Sequence, residues 1–187
     1  MTRGDTAPPR RAPLYTPEQR ARRDATVWTL VQGILAPVQF LVMLVSLVLL
    51  ATFLITGEGF FAATVSVVVK TALLLTIMVT GSIWEKVVFD EWLFAKAFFW
   101  EDVVSFGVIA LHLLYVWALL AGWAPTSQAW VALIAYAAYA VNAIQFLLKL
   151  RAARLDEAAR AAEAPTLSAA PSAAPTAAQP SAQGVPA

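Results

Sequence analysis

Four long apolar stretches, joined by short polar segments, constrain the fold of this chain more than any other feature. They cover residues 27–55, 60–83, 103–123 and 129–148. A helix needs about 20 apolar residues to cross the hydrocarbon core of a bilayer, and each stretch is that long. A soluble bundle would need a polar face on each helix, which these stretches lack. The sequence therefore predicts an all-α polytopic membrane protein, a bundle of four transmembrane helices surrounded by the lipid bilayer.

The basic residues predict the orientation of this bundle. Of the 13 Lys and Arg residues, six precede the first stretch, two lie between the second and third, and four follow the last. The two other connections contain none, and only Lys70 lies within a stretch. Because basic segments are retained on the cytoplasmic side, both termini and the middle loop are predicted to be cytoplasmic.

The two ends of the chain differ in composition from this apolar core. Residues 1–14 hold several prolines, and the residues after Glu163 are mostly Ala, Pro, Ser, Thr and Gln. Both segments are therefore predicted to be disordered. We divide the chain into this disordered start, a membrane domain over residues 15–155, and a helix end with an Ala/Pro-rich tail over residues 156–187.

A helix start signal precedes the first apolar stretch. Thr16 is placed to accept a hydrogen bond from the backbone of Gln19, whose side chain can reach back, and Pro17 suits the first helical position. The segment over residues 18–26 then carries three arginines. These features predict a short basic helix on the membrane surface.

Composition excludes several kinds of site. The chain has no cysteine, which excludes disulfides, thiolate metal sites and a cysteine nucleophile. Its single histidine cannot provide bis-histidine haem ligation, and its net charge of +1 gives no basic excess for nucleic acid. No phosphate loop, dinucleotide fingerprint, zinc spacing or nucleophile elbow is present. We therefore predict no metal or cofactor of the protein's own.

Ionisable side chains within a bilayer are costly and indicate function. Lys70 and His112 lie deep in the second and third stretches. Gln39, Asn142 and Gln145 lie at similar depths in the other two, so every helix contributes a polar group. Two interpretations stay open: a polar cavity, or interhelical hydrogen bonds that only hold the bundle together.

The middle loop is acidic and aromatic, whereas a cytoplasmic loop is ordinarily basic and polar. Because Trp is favoured at the membrane interface, the loop is predicted to lie there. A carboxyl group shielded from water by aromatic rings holds its proton more strongly, which suits a general acid. The carboxyl groups are those of Glu85, Asp90, Glu91, Glu101 and Asp102, and the aromatic residues include Trp84 and Trp100.

Glu101 begins a polar stripe on the third helix. Ser105, Val108 and His112 follow it at spacings of i+4, i+7 and i+11, which place all four residues on one face. Glu85 is predicted to end the second helix at a comparable level. The alternative is that Glu85 and Glu101 only cap helices and pair with lysines of the same loop.

Long and unusual motifs occur throughout the membrane domain. They are YTPEQ (residues 15–19), WTLVQG (28–33), VKT (69–71), TIMVTG (76–81), IWEKVVF (83–89), FFWEDV (98–103), ALH (110–112) and QFLLKLR (145–151). In these motifs the chain resembles the 3-vinyl bacteriochlorophyllide hydratases of photosynthetic bacteria, over about residues 15–155.

The resemblance implies a lyase of bacteriochlorophyll biosynthesis in the bacterial inner, or intracytoplasmic, membrane. Members of this family hydrate the 3-vinyl group of chlorophyllide a, or of the matching bacteriochlorophyllide, to a 1-hydroxyethyl group. The only metal implied is the magnesium of the substrate, and neighbouring enzymes of the same biosynthesis are possible partners.

Hydration in this sense requires an acid, a base for water and a flat apolar slot. Our hypothesis is that Glu85 or Glu101 protonates the vinyl carbon while the other carboxylate or Asp102 orients water. For His112, axial ligation of the substrate magnesium and hydrogen bonding to the macrocycle both stay open. The residues predicted to bind the substrate are His112, Lys70, Ser105, Asn142, Trp84 and Trp100.

Two other functions are compatible with these features. A non-catalytic pigment carrier or photosynthetic assembly factor would share the aromatic slot and the histidine, but would leave the vinyl group unchanged. A small transporter built around Lys70 and His112 would need a polar path through the membrane. The connection between the third and fourth stretches carries no charge, which disfavours that path.

Overall fold

The computed structural model describes residues 13–168, with side chains up to residue 162, and this part of the chain contains five helices and no strand. Four of the helices are long and apolar enough to cross a membrane, which confirms the predicted all-α chain with four apolar helices. The disorder predicted for the two ends falls largely on residues 1–12 and 169–187, which lie outside the described residues. The helices are α1 (Pro17–Ala25), α2 (Val27–Thr56), α3 (Phe60–Phe89), α4 (Phe99–Leu120) and α5 (Pro125–Ser168).

α1 begins with the capping box predicted from the sequence. The backbone N–H of Gln19 donates to Thr16 Oγ1 at 3.2 Å, and the Thr16 N–H donates to Gln19 Oε1 at 2.9 Å. Pro17 occupies the first helical position. These contacts satisfy backbone donors that a helix start otherwise leaves free, and they confirm the predicted short helix.

Ion pairs and a ring contact attach the α1 region to α5 and α3. Arg20 Nη2 and Arg23 Nη1 lie 3.1 and 3.4 Å from Glu157 Oε1 of α5. Tyr15 stacks on Phe89 of α3, with 5.7 Å between the ring centroids. α1 therefore lies beside the C-terminal end of α3 and the C-terminal extension of α5.

The four long helices form two antiparallel hairpins, α2–α3 and α4–α5. Gly57 and Gly59 turn the first hairpin at φ values of 76° and 82°, and Gly122 turns the second at 69°. Glycine adopts this left-handed conformation without the steric cost that a Cβ atom adds. Packing within each hairpin is more extensive than packing between them. A boundary therefore separates the hairpins, and polar side chains from both of them meet along it.

The loop between the hairpins is shorter than the sequence predicted. α3 continues to Phe89 and α4 begins at Phe99, so residues 90–98 form the connection. The prediction that Glu85 ends its helix is therefore wrong, because the helical hydrogen bonds continue for about one further turn. Asp90 then ends α3 in a left-handed conformation with a φ of 65°.

The surface of the bundle is apolar and its interior contains polar groups. Large apolar side chains such as Val48, Leu120 and Leu147 are exposed, whereas Lys70 and His112 are buried. A soluble protein of this size would bury such apolar side chains. The exposed apolar surface therefore suits hydrocarbon rather than water, as expected for helices that cross a membrane.

Candidate functional site

Two carboxyl groups meet where the two hairpins join. Glu85 of α3 and Asp102 of α4 lie close enough to interact electrostatically, and the residues are only 6% and 4% exposed. Two buried carboxyl groups this close repel each other when both are ionised, which favours a proton on one of them. This carboxyl pair is therefore a candidate source of one proton.

The 90–98 loop donates two backbone hydrogen bonds to the carboxyl pair. The N–H of Phe94 donates to Asp102 Oδ2 at 2.9 Å, and the N–H of Ala95 donates to Glu85 Oε2 at 3.4 Å. Phe94 has a φ of 60°, a conformation that is uncommon for a bulky residue and costs about 1–3 kcal/mol. Two consecutive N–H groups thus reach both carboxyls from a strained segment.

The third carboxylate of the site belongs to an ion pair between the first turn of α4 and the middle of α5. Lys149 Nζ donates to Glu101 Oε2, and the two side chains are 26% and 12% exposed. Lys149 Nζ also lies 5.0 Å from the centroid of the Phe98 ring. Glu101 is therefore an ion-paired carboxylate beside the carboxyl pair.

The remaining acidic residues of the loop are poor candidates for proton donation. Lys86 Nζ lies 2.6 Å from Asp90 Oδ1, and this hydrogen bond lowers the pKa of the Asp90 carboxyl. The side chain of Asp90 is mostly exposed, and Glu91 is also exposed. The alternative interpretation of Glu85 was that it caps its helix and pairs with a lysine of the loop. Lys86 pairs with Asp90 instead, so it is not that partner.

The polar stripe predicted on α4 lies against α5. Asn142 Nδ2 donates to Ser105 Oγ at 2.8 Å, and Ser105 Oγ donates to the backbone oxygen of Glu101 at 2.8 Å. His112 Nδ1 lies 2.8 Å from the backbone oxygen of Val108. Ser105 and Asn142 therefore connect α4 and α5 directly. This hydrogen bond agrees with the interpretation in which Asn142 holds the bundle together.

Deeper in the bundle, Lys70 and His112 lie near one another. Lys70 is completely buried, and its Nζ lies 3.6 Å from the centroid of the Tyr139 ring. Within the described residues, Lys70 Nζ, His112 Nε2 and Gln39 Nε2 have no hydrogen-bond partner. These groups are separate from the carboxyl pair, since Glu85 follows Lys70 by about 22 Å along α3 at 1.5 Å per residue.

The two tryptophans predicted to bind substrate occupy different environments. Trp84 packs edge-on against Phe89 and Phe98 and donates from Nε1 to Thr29 Oγ1 at 2.9 Å. Trp100 is 71% exposed. Trp84 therefore belongs to the packed end of the bundle, while Trp100 is available to a molecule at the surface.

An exposed aromatic surface adjoins the carboxyl pair. Phe94 stacks on Phe106 with 5.4 Å between centroids, and Phe99 contacts both Phe94 and Trp100. All four side chains are exposed, and we call them the aromatic surface. Because the backbone N–H of Phe94 also donates to Asp102, this apolar area and the carboxyl pair are adjacent.

Lys149, Tyr139 and the N–H groups of the loop were not predicted as parts of the site. The spacing of Asn142 and Lys149, seven residues apart, does place them on one face of α5, so Lys149 had a signal in the sequence. Tyr139 is separated from Asn142 by three residues and had a similar signal. The loop N–H groups had none, since any residue except proline carries one.

Comparisons with known proteins give a consistent result. The family described as 2-vinyl bacteriochlorophyllide hydratase matches residues 15–152. The protein of that name from Rhodobacter capsulatus is 66% identical over 150 residues, covering 80% of this chain and 88% of the relative. The one from Cereibacter sphaeroides is 67% identical over 150 residues, covering 80% and 92%. No solved structure matches the chain.

Proposed function

This chain belongs to the 2-vinyl bacteriochlorophyllide hydratase family, and on that premise we propose that it hydrates the vinyl group of a chlorophyllide or bacteriochlorophyllide. The product carries a 1-hydroxyethyl group, and the step belongs to bacteriochlorophyll biosynthesis. Positions 2 and 3 denote the same vinyl-bearing carbon in two numbering schemes of the macrocycle. In the structure, the observation that carries the proposal is the carboxyl pair, a buried proton source beside an exposed aromatic surface.

The reaction adds one water across one double bond. The protonated member of the carboxyl pair transfers its proton to the terminal vinyl carbon, which becomes a methyl group. Positive charge then develops on the carbon attached to the macrocycle, and the conjugated ring system delocalises it. Water forms a C–O bond to that carbon and returns its proton to the carboxylate. No electron transfer occurs, so the proposal requires no cofactor beyond the substrate with its magnesium.

The hydrogen bonds of the site suggest a role for each carboxyl group. Asp102 accepts the shorter N–H bond, which favours negative charge there and leaves the proton on Glu85. Glu85 is therefore proposed as the acid, and Asp102 as the group that orients water. Glu101, ionised beside Lys149, stabilises the developing cation electrostatically.

The macrocycle is proposed to lie on the aromatic surface. Stacking on Phe94 and Phe106 brings a flat pigment beside the loop that binds Asp102. His112 is separated from Asp102 by about 15 Å along α4, so it would act on a part of the substrate deeper in the membrane. Either magnesium ligation or a hydrogen bond at the ring periphery is compatible with its free Nε2.

The proposed activity is tested by incubating the purified protein with chlorophyllide a and, separately, with 3-vinyl bacteriochlorophyllide. We expect a product heavier by one water, with its red absorption band shifted to the blue because vinyl conjugation is lost. Mass spectrometry of the extracted pigment measures this. Pigment that co-purifies with the protein but stays unchanged, with both substrates, would favour the carrier alternative.

We further propose that the bundle lies in the bacterial inner membrane with both termini in the cytoplasm. The absence of native cysteine makes this testable by labelling single cysteines. We expect Glu58→Cys, in the first hairpin turn, and Ser127→Cys, in the first turn of α5, to react with an impermeant maleimide from the periplasmic side. Glu91→Cys should react only after the membrane is opened. The reverse pattern would contradict the proposed orientation.

A further inference from the structure

Lys70 is a hydrogen-bond donor without an acceptor in the interior of the bundle. The residue is 0% exposed, and within the described part of the chain its Nζ has no hydrogen-bond partner and lies over the face of the Tyr139 ring. A cation gains some attraction from an aromatic face. That contact leaves the donor hydrogens of an ammonium group unused, and burying an unpaired charge is strongly unfavourable. A bound anion would remove this cost.

A second unpartnered donor lies beside Lys70. The hydrogen bonds Ser46–Ser66 and Gln32–Thr80 fix the register of α2 against α3. Gln39 is midway in sequence between Gln32 and Ser46, so it lies opposite position 73, which is midway between Thr80 and Ser66 on α3. Position 73 is about one helical turn from Lys70. Its Nε2 is buried without a partner.

The other polar groups nearby do not supply an anion. His112 Nδ1 donates to the Val108 carbonyl, which leaves Nε2 of a neutral imidazole as an uncharged acceptor. Ser46 and Tyr136 bond to each other at 2.6 Å. Tyr139 presents its ring to Lys70. The interior therefore offers two unused donors on adjacent turns, a pattern that fits a carboxylate with two oxygens.

We propose that Lys70 and Gln39 bind the propionate carboxylate of the pigment. This deepens the proposed function and rests on it, because chlorophyllides and bacteriochlorophyllides are free acids whose propionate has not been esterified. The site would thus select the free acid over an esterified pigment. A carboxylate at Lys70 also anchors the macrocycle by the edge that does not react.

The separation of the two sites suits a substrate with two distant functional groups. Lys70 and Glu85 are about 22 Å apart along α3. The Glu85 side chain, the macrocycle, its propionate chain and the Lys70 side chain, placed end to end, would together span this distance. The pigment would then enter along the boundary between the hairpins, where packing is less extensive.

Binding of chlorophyllide a and of its methyl ester to the purified protein tests this proposal. We expect the wild-type protein to bind the acid at least about tenfold more tightly than the ester, as measured by pigment fluorescence. In Lys70→Met, affinity for the acid should fall about tenfold or more, the effect of losing a hydrogen bond to a charged group. Affinity for the ester should stay unchanged. Gln39→Leu should lower affinity for the acid a few-fold.

Lys96→Met, which removes an exposed lysine of the loop, is the matched control and should bind both pigments like wild type. Equal affinity of the wild-type protein for acid and ester would overturn the proposal, even if Lys70→Met fails to fold. Displacement of the pigment by oleate as effectively as by excess chlorophyllide would also overturn it and assign the site to a lipid acid. Affinity is read from fluorescence before appreciable product forms, so absence of hydration would contradict the proposed function alone.

Discussion

Replacement of Glu85 by Gln is expected to reduce vinyl hydration about a hundredfold or more, the range in which positioned general acids contribute. Glutamine has the same size and still accepts the hydrogen bond from the Ala95 N–H. It cannot transfer a carboxylic proton to the vinyl carbon. The loss should therefore appear in kcat rather than KM, measured from initial rates of product formation with chlorophyllide a.

Asp102→Asn should also lower the rate strongly, because it removes the base that receives the proton of water. Glu91→Gln is the matched control: it makes the same carboxyl-to-amide change on an exposed residue of the loop and should leave the rate near that of wild type. If Glu85→Gln and Asp102→Asn both turn over at near-normal rates, the carboxyl pair is not the proton source.

Replacement of Lys149 by Met is expected to reduce both stability and activity. The change keeps the length of the side chain but leaves the carboxylate of Glu101 without its partner. The pair is only partly buried, so we expect a stability loss of about 2 kcal/mol, between the values for exposed and fully buried pairs. Without Lys149, the Glu101 carboxylate is no longer held in position to stabilise the cation, and hydration should fall about tenfold or more. Denaturant unfolding in detergent and initial rates measure these effects.

The double variant Glu101→Gln/Lys149→Met separates the two effects. Removing both charges together leaves no unpaired ion, so stability should return close to that of wild type. Activity should stay low, because the negative charge beside the cation is still absent. Recovery of the full rate in the double variant would show that Glu101 contributes only to folding.

Local sequence patterns were sufficient for the helices and for part of the site. The capping box at Thr16 formed as predicted because all its partners lie within one helical turn. The face shared by Glu101, Ser105 and His112 follows from the period of a single helix. Such features depend on near neighbours in the chain, so the sequence contains the information needed to predict them.

The partners of these residues could not be predicted in the same way. Glu101 pairs with Lys149, 48 residues away, rather than with a lysine of its own loop. The contact of Lys70 with Tyr139 likewise depends on how one hairpin is placed against the other. Two apolar helices can pack in many alternative alignments that bury similar apolar area. The periodicity of one helix does not predict which alignment forms.

The sequence by itself determined four apolar helices, the short capped helix before them, and the polar residue types that lie inside the bundle. These features depend on the length of the apolar stretches and on hydrogen bonds between near neighbours in the chain, and not on contacts between helices. Only the tertiary structure decided that Glu85 lies beside Asp102, because the position of Glu85 depends on where α3 ends. It also decided that the strained backbone at Phe94 supplies N–H donors to this pair. Every non-proline residue carries such a donor, and the acceptor it reaches is set only when the chain folds.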